Sequence, residues 1–71
     1  MKCTILHETR GRMRVRLCCR RMTLEQADVL EYYLRAVDGV QSVKVYDRTR
    51  DAVVVYDAER GSIIRALACF S

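Results

Sequence analysis

The sequence is poor in residues that interrupt regular structure: it contains no proline and three glycines in 71 residues. Without a stretch rich in either residue, no interdomain linker is expected, so residues 1–71 are predicted to form a single domain. Long apolar runs are also missing, because the run over residues 52–56 is far shorter than the roughly 20 residues of a membrane span. The N-terminus lacks the apolar region of a secretory signal, so we expect a cytoplasmic domain that does not insert into a membrane.

The sequence also lacks a CxxC motif, the spacing typical of a metal site, although it contains four cysteines. Without a secretory signal, these favour free or metal-binding thiols over disulfides. Soft thiolates suit copper(I) or zinc, whereas small buried hydrophobic side chains are the alternative interpretation. The candidate metal ligands are Cys3, Cys18, Cys19 and Cys69.

Catalytic patterns are missing as well. The sequence contains no glycine-rich phosphate loop and no histidine-based nucleophile arrangement. Asp47 and Asp51 flank a polar stretch and are interpreted as turn residues. We therefore expect no enzymatic activity from the domain itself.

Charge is unevenly distributed along the chain, whose net charge is +4. Residues 1–21 contain seven basic residues and one acidic residue, whereas residues 22–71 contain six basic and eight acidic residues. Such asymmetry indicates an acidic partner, and a merely solvated strand face is the alternative.

A basic strand is predicted from the strict alternation over residues 11–17, which separates three apolar side chains from three arginines. Residues 2–7 predict a preceding strand with Cys3, Ile5 and His7 on one face, and residues 8–11 predict the loop of a β-hairpin. His7 then lies at the loop end of this hairpin as a surface residue and is excluded as a ligand. The three arginines are Arg12, Arg14 and Arg16.

The rest of the chain predicts a helix, a second hairpin and another helix. Thr23 and Gln26 form a capping-box pattern before a helix over residues 24–37, with apolar residues from Leu24 to Val37 at helical spacing. Gly39 is expected in the left-handed position after this helix. Residues 40–46 and 52–56 predict two strands joined by a polar turn, and residues 60–70 predict the second helix.

The parity of these strands defines a candidate binding face. Ala52, Val54 and Tyr56 are expected to point towards the helices, which leaves the alternate residues on the other side. This docking or anion-binding face is predicted to contain Arg12, Arg14, Arg16, Lys44, Tyr46, Val53 and Val55.

The element order ββαββα predicts an α+β fold with two helices on one face of an antiparallel sheet. VDGVQSVKV (residues 37–45), Thr49 and AVVVYD (residues 52–57) resemble heavy-metal-associated domains, which occur in heavy-metal P-type ATPases and small copper chaperones. GRMRVRL (residues 11–17) is similar to a divergent branch without the metal-binding loop. The resemblance implies a ferredoxin-like sandwich, but this chain lacks the last strand and has an extra first one. Counting that extra strand as 0, we predict a four-stranded sheet in the order 0-1-3-2, with the extra strand in the missing strand's place.

The resemblance also implies where a metal would bind, namely in the loop over residues 18–22. Cys18 and Cys19 lie there, and Arg20 and Arg21 would favour their thiolate forms. The topology further predicts Cys3 opposite residues 16–18. Because the second helix is expected to end nearby, Cys69 joins the other three thiols at this end of the fold. Met22 is a further candidate ligand, with a hydrophobic contact before the helix as the favoured alternative.

The function implied is that of an accessory domain at the N-terminus of a heavy-metal P-type ATPase, either binding a metal or regulating the pump. Its partners would be other domains of the transporter or a metal-donor protein. A stand-alone nucleic-acid or phosphate-binding module using the arginine face is the alternative, although Tyr46 is the single aromatic residue expected there. A small-molecule-sensing dimer of ACT-like type is a third hypothesis.

Overall fold

The structure, a computed structural model, describes residues 2–70. Its four strands form one antiparallel sheet in the order β1-β2-β4-β3. This is the predicted 0-1-3-2 order, and it confirms the α+β, ferredoxin-like arrangement with the extra strand beside β2. The elements are β1 (Cys3–Thr9), β2 (Arg12–Leu17), α1 (Leu24–Arg35), β3 (Val40–Tyr46), β4 (Asp51–Tyr56) and α2 (Arg60–Cys69).

The core lies between the helices and one face of the sheet. Alternate residues of β2 and β4 point into it, as their predicted parity requires, and they meet the buried stripes of α1 and α2. Burying each large aliphatic side chain stabilises the fold by about 1.5–3 kcal/mol. Neither helix within residues 2–70 has the length and hydrophobicity needed to cross a bilayer. The fully buried large residues of the core are Met13, Val15, Leu17, Leu30, Leu34, Val54, Ile63 and Leu67.

Helix α1 begins at the predicted capping box. The Gln26 amide donates to Thr23 Oγ1 at 3.1 Å, and the Thr23 amide donates to Gln26 Oε1 at 2.9 Å. The expectation that Leu24 belongs to the buried stripe is wrong, because its side chain is 65% exposed. At 100° per residue, Leu24 lies roughly 90° around the helix from the centre of the stripe formed by Ala27, Leu30 and Leu34.

Helix α1 ends at Arg35, two residues before the predicted end, and Gly39 lies in a separate turn. Gly39 has the expected positive φ of 86°, but it is not the residue directly after the helix cap at Ala36. The amide of Val40 donates to the carbonyl of Val37 at 3.1 Å and closes this turn. A Cβ atom at Gly39 would stand 2.6 Å from the Cβ of Ala58, so this position requires glycine.

The first hairpin departs from its predicted register. Strand β1 continues to Thr9, so the loop is shorter than residues 8–11. A register shift between Ile5 and His7 leaves Leu6 as an extra residue, which is a β-bulge. Beyond the bulge the parity is reversed, and His7 is paired with Arg14 within the strand. The prediction that His7 shares a face with Cys3 and Ile5 is therefore wrong. His7 is exposed, as predicted, and lies in the half of the hairpin nearer the loop, two residues before the end of β1.

Candidate functional site

The predicted docking residues lie in three rows across the sheet face that α1 and α2 leave uncovered, which we call the open face. Each row crosses β2, β4 and β3, because paired residues of neighbouring strands point to the same side. The rows are Arg12–Val55–Ser42, Arg14–Val53–Lys44 and Arg16–Asp51–Tyr46.

Asp51 is the functional candidate that sequence reasoning missed. It is the first residue of β4 and fully buried, so its interpretation as a turn residue is wrong. Arg14 donates from Nε and Nη2 to Asp51 Oδ2 at 3.0 and 2.9 Å. Arg16 donates from Nε to Asp51 Oδ1 at 2.8 Å. The available signal was the alternation of Asp51 with Val53 and Val55, which places this carboxylate on the same face of β4 as those two valines.

The two guanidinium groups determine the ionisation of Asp51. Hydrogen bonding from Arg16 lowers the pKa of Asp51, burial opposes this effect, and the hydrogen bonds from Arg14 reinforce it. The same hydrogen bond raises the pKa of Arg16. Asp51 is therefore ionised at neutral pH, and one carboxylate holds two arginines in a defined orientation.

Tyr46 and Lys44 complete the central part of the open face. The guanidinium carbon of Arg14 lies 5.4 Å from the centre of the Tyr46 ring, and the Lys44 Nζ lies 6.0 Å from it. These are cation–π distances, so the ring of Tyr46 is engaged by cations of its own sheet. Arg12, in contrast, makes no ion pair with any residue of the described range 2–70.

Cys3, at the start of β1, and Cys18, directly after β2, lie close to each other. Cys3 pairs with Leu17, as predicted, and the amide of Cys18 donates to the carbonyl of Lys2 at 2.9 Å. Cys3 and Cys18 line a common cavity together with residues of α2. Burial raises the pKa of Cys3, and the neighbouring Cys18 raises it further.

The other two cysteines lie at the same end of the molecule. Cys19 lines a different cavity that also contains Phe70, the residue that follows Cys69. Among residues 2–70, no group of three or more His, Cys, Asp or Glu side chains is arranged to hold a metal ion. Metal binding by Cys3, Cys18, Cys19 and Cys69 therefore stays a prediction. Met22 is 8% exposed and belongs to the hydrophobic core.

Arg50 connects the turn between β3 and β4 to the loop that contains Cys18 and Cys19 through hydrogen bonds. Its carbonyl accepts a hydrogen bond from the Leu17 amide at 2.8 Å, and its guanidinium group donates to the carbonyl of Cys19. Its φ of 62° lies in the left-handed region, which arginine rarely adopts. The polar composition of residues 47–51 indicated a turn but gave no sign of this contact.

The open face is suited to binding acidic groups, since guanidinium groups bind carboxylates and phosphates through paired hydrogen bonds. Of the two valines predicted on this face, Val53 is buried at 9% exposure, so the partly exposed Val55 provides the apolar surface between the charges. Comparisons of the chain with protein-family models, with curated proteins and with solved structures find no match.

Proposed function

We propose that this domain is a non-catalytic accessory module of a heavy-metal P-type ATPase, and that it regulates the pump by docking its open face on an acidic surface of another transporter domain. The resemblance of residues 37–57 to heavy-metal-associated domains supports the transporter context. The observation that carries the docking role is the arrangement around Asp51. Asp51 fixes Arg14 and Arg16, while Arg12 and Lys44 form no ion pair within residues 2–70 and, apart from the contact of Lys44 with the Tyr46 ring, stay available for carboxylates of a partner.

The open face favours a protein partner over single-stranded nucleic acid. Recognition of single strands depends on stacking bases on exposed aromatic rings. Tyr46 is the one aromatic residue in the three rows of the open face, and the cations of Arg14 and Lys44 lie over its ring. The partly exposed Val55 next to Arg12 suits a protein surface, which presents apolar and acidic groups side by side.

A titration with two defined probes tests the docking role. The labelled protein is followed by amide NMR while polyglutamate or single-stranded oligothymidine is added at constant ionic strength. We expect polyglutamate to shift amides of β2 and β4 and to bind more tightly than oligothymidine. The nucleic-acid alternative would be favoured if oligothymidine bound as tightly as polyglutamate and its affinity fell steeply as the salt concentration was raised.

Two variants with equal losses of charge locate the interaction. The double variant R12A/K44A removes two cations of the open face without touching the contacts of Asp51. The control variant K2A/R65A removes two exposed cations that lie outside the open face. Arg60 is not used in the control, because it forms an ion pair with Glu8. We expect R12A/K44A to weaken polyglutamate binding about tenfold, or 1.4 kcal/mol, and K2A/R65A to change it much less. Equal losses in both variants would contradict a role for the open face.

The transporter context has a separate test in the reading frame that contains the chain. Continuation beyond Ser71 into membrane spans and a P-type phosphorylation motif would support the proposal. A stop codon directly after Ser71 would contradict it and favour a stand-alone module.

A soft metal ion as cargo is the second candidate, and the cavity shared by Cys3 and Cys18 favours it. Titration of the reduced protein with copper(I) or zinc, with the cysteine Cβ resonances followed by NMR, tests this candidate. We expect the resonances of Cys3 and Cys18 to shift first. Unchanged resonances of all four cysteines at one equivalent of metal would eliminate it.

A further inference from the structure

Four arginines from two separate loops line an open cavity at one end of the sheet, which we call the loop-end cavity. Two of them follow β2 in the chain, and the other two lie in the turn between β3 and β4. The cavity has a volume of about 350 Å³. It is lined by Arg20, Arg21, Met22, Asp47, Arg48 and Arg50.

The cavity has a large excess of positive charge. Asp47 is the one carboxylate among its lining residues, against four guanidinium groups. Within the described residues 2–70, Arg20, Arg21 and Arg48 form no ion pair. Placing like charges around one concave surface destabilises the folded chain through their repulsion, and a bound anion would remove that cost.

The two loops are held together independently of any ligand. The carbonyl of Arg50 accepts from the amide of Leu17 at 2.8 Å, and the Arg50 guanidinium donates to the carbonyl of Cys19. These contacts connect the turn after β3 to the loop after β2. The arginines of both loops are therefore brought to one place by the fold, and a ligand does not have to assemble them.

We propose that the loop-end cavity binds a small phosphate-bearing anion with at least two negative charges. Guanidinium groups match phosphate oxygens in geometry and charge. The four guanidinium groups carry more positive charge than the single carboxylate of Asp47 can neutralise. The volume lies at the lower end of the roughly 300–1,000 Å³ typical of ligand sites, which suits a compact anion. The residues that line the cavity include none from the three rows of the open face, and the proposed anion binding does not depend on the docking role of that face.

Titration with inorganic pyrophosphate tests the proposal, with sodium chloride adjusted to keep the ionic strength constant. Amide NMR is expected to show saturable shifts confined to residues 18–21 and 47–50. Pyrophosphate is expected to bind at least tenfold more tightly than sulfate, because it presents more charge to the four guanidinium groups. Shifts that do not saturate, or that occur across the whole basic surface, would show general ion screening and overturn the proposal.

The double variant R20A/R48A supplies the specific test, because both side chains are exposed and unpaired among the described residues. It is expected to weaken pyrophosphate binding at least tenfold. The control R12A/K44A removes the same charge from the open face and is expected to leave the affinity within twofold. A rise in melting temperature with added pyrophosphate in wild type, and its loss in R20A/R48A, provides a second readout. Equal affinities of R20A/R48A and wild type would overturn the proposal.

The same phosphate chemistry occurs on free anions and on lipid headgroups, and a vesicle experiment distinguishes the two sources. Phosphatidylcholine vesicles containing phosphatidylinositol 4-phosphate are sedimented with wild type and with R20A/R48A. Sedimentation that requires Arg20 and Arg48 identifies a headgroup as the ligand. Pyrophosphate binding without sedimentation identifies a free anion. Vesicle binding that is equal in both proteins, together with no saturable pyrophosphate binding, would contradict the site.

Discussion

The open face and the loop-end cavity contain the same residue type in opposite circumstances. On the open face, Arg14 and Arg16 share the buried carboxylate of Asp51 at hydrogen-bond distance. The loop-end cavity is lined by four arginines and one acidic residue, Asp47; Arg50 donates to the carbonyl of Cys19, and the other three arginines form no ion pair within residues 2–70. The first pair of arginines contributes to the fold, whereas Arg20, Arg21 and Arg48 provide charge that the fold leaves available.

This difference shows that counting charges in a sequence does not reveal which charges can bind a partner. Residues 1–21 contain seven basic residues, and two of them are satisfied by one aspartate from a distant strand. The cations that stay available include Arg12 on the open face and the Arg20–Arg21 pair at the cavity. The pairing across strands, and not the total charge of the segment, therefore determines which cations are left without a carboxylate partner.

The largest expected effect comes from removing the carboxylate that distinguishes the two regions. Asp51→Asn leaves two guanidinium groups without their counter-charge, and we expect a loss of about 2 kcal/mol in the free energy of unfolding. Asp47→Asn is the matched control and should change stability by less than about 0.5 kcal/mol. Urea denaturation at pH 7 measures both variants, and equal losses would contradict the assigned role of Asp51.

The same carboxylate predicts a pH dependence. Because the folded state lowers the pKa of Asp51, its contribution is fully present above the unfolded value of about 3.9 and is lost as pH falls through the lower folded value. The stability difference between wild type and Asp51→Asn should therefore decrease as the pH is lowered below about 4. Denaturation curves of both proteins between neutral and strongly acidic pH provide the test. A difference that stays constant would show that ionised Asp51 is not its source.

Two arginines on the same strand should differ in their importance for stability. Arg14→Ala removes two hydrogen bonds to Asp51 and the contact with Tyr46, so we expect a loss of about 1 kcal/mol. Arg12→Ala removes no ion pair of the described residues, and its effect should stay below about 0.5 kcal/mol. Thermal unfolding of both variants shows which arginine contributes more to stability. A larger loss of stability for Arg12→Ala than for Arg14→Ala would contradict the roles assigned to these two residues.

The smallest effect on stability is expected at the loop-end cavity. Arg20→Ala and Arg48→Ala relieve repulsion without breaking an ion pair within residues 2–70, so each should leave stability unchanged within about 0.5 kcal/mol or raise it slightly. Chemical denaturation without added phosphate measures the effect. A loss comparable to that of Arg14→Ala would show that these arginines are structural and that the two regions do not differ.

The regular elements were predictable from the sequence because each leaves a local pattern. Alternation predicted the inward positions of Met13 and Val15, and the capping box predicted the start of α1 at Thr23. The position of β1 at the edge of the sheet was predictable by comparing the order of the elements with that of the ferredoxin-like fold. The bulge at Leu6 was not predictable, because one unpaired residue reverses the parity of the strand without a compositional sign.

The candidate site was only partly predictable because its important contacts join residues that are far apart in the chain. The alternation placed Arg12, Arg14 and Arg16 on one face. That Asp51 lies opposite Arg16 depends on the register between β2 and β4, which a single sequence does not provide. The loop-end cavity likewise requires residues 20–21 and 47–50 to meet, which happens only when the sheet is formed.

The availability of each arginine can be measured directly from its side-chain Nε–Hε signal in NMR. In a titration with inorganic pyrophosphate at constant ionic strength, we expect the signals of Arg20, Arg21 and Arg48 to shift in a saturable way. The signals of Arg14 and Arg16, whose Nε–H groups donate to Asp51, should stay in place. Shifts at Arg14 and Arg16 without shifts at the cavity arginines would contradict the distinction between engaged and available charge.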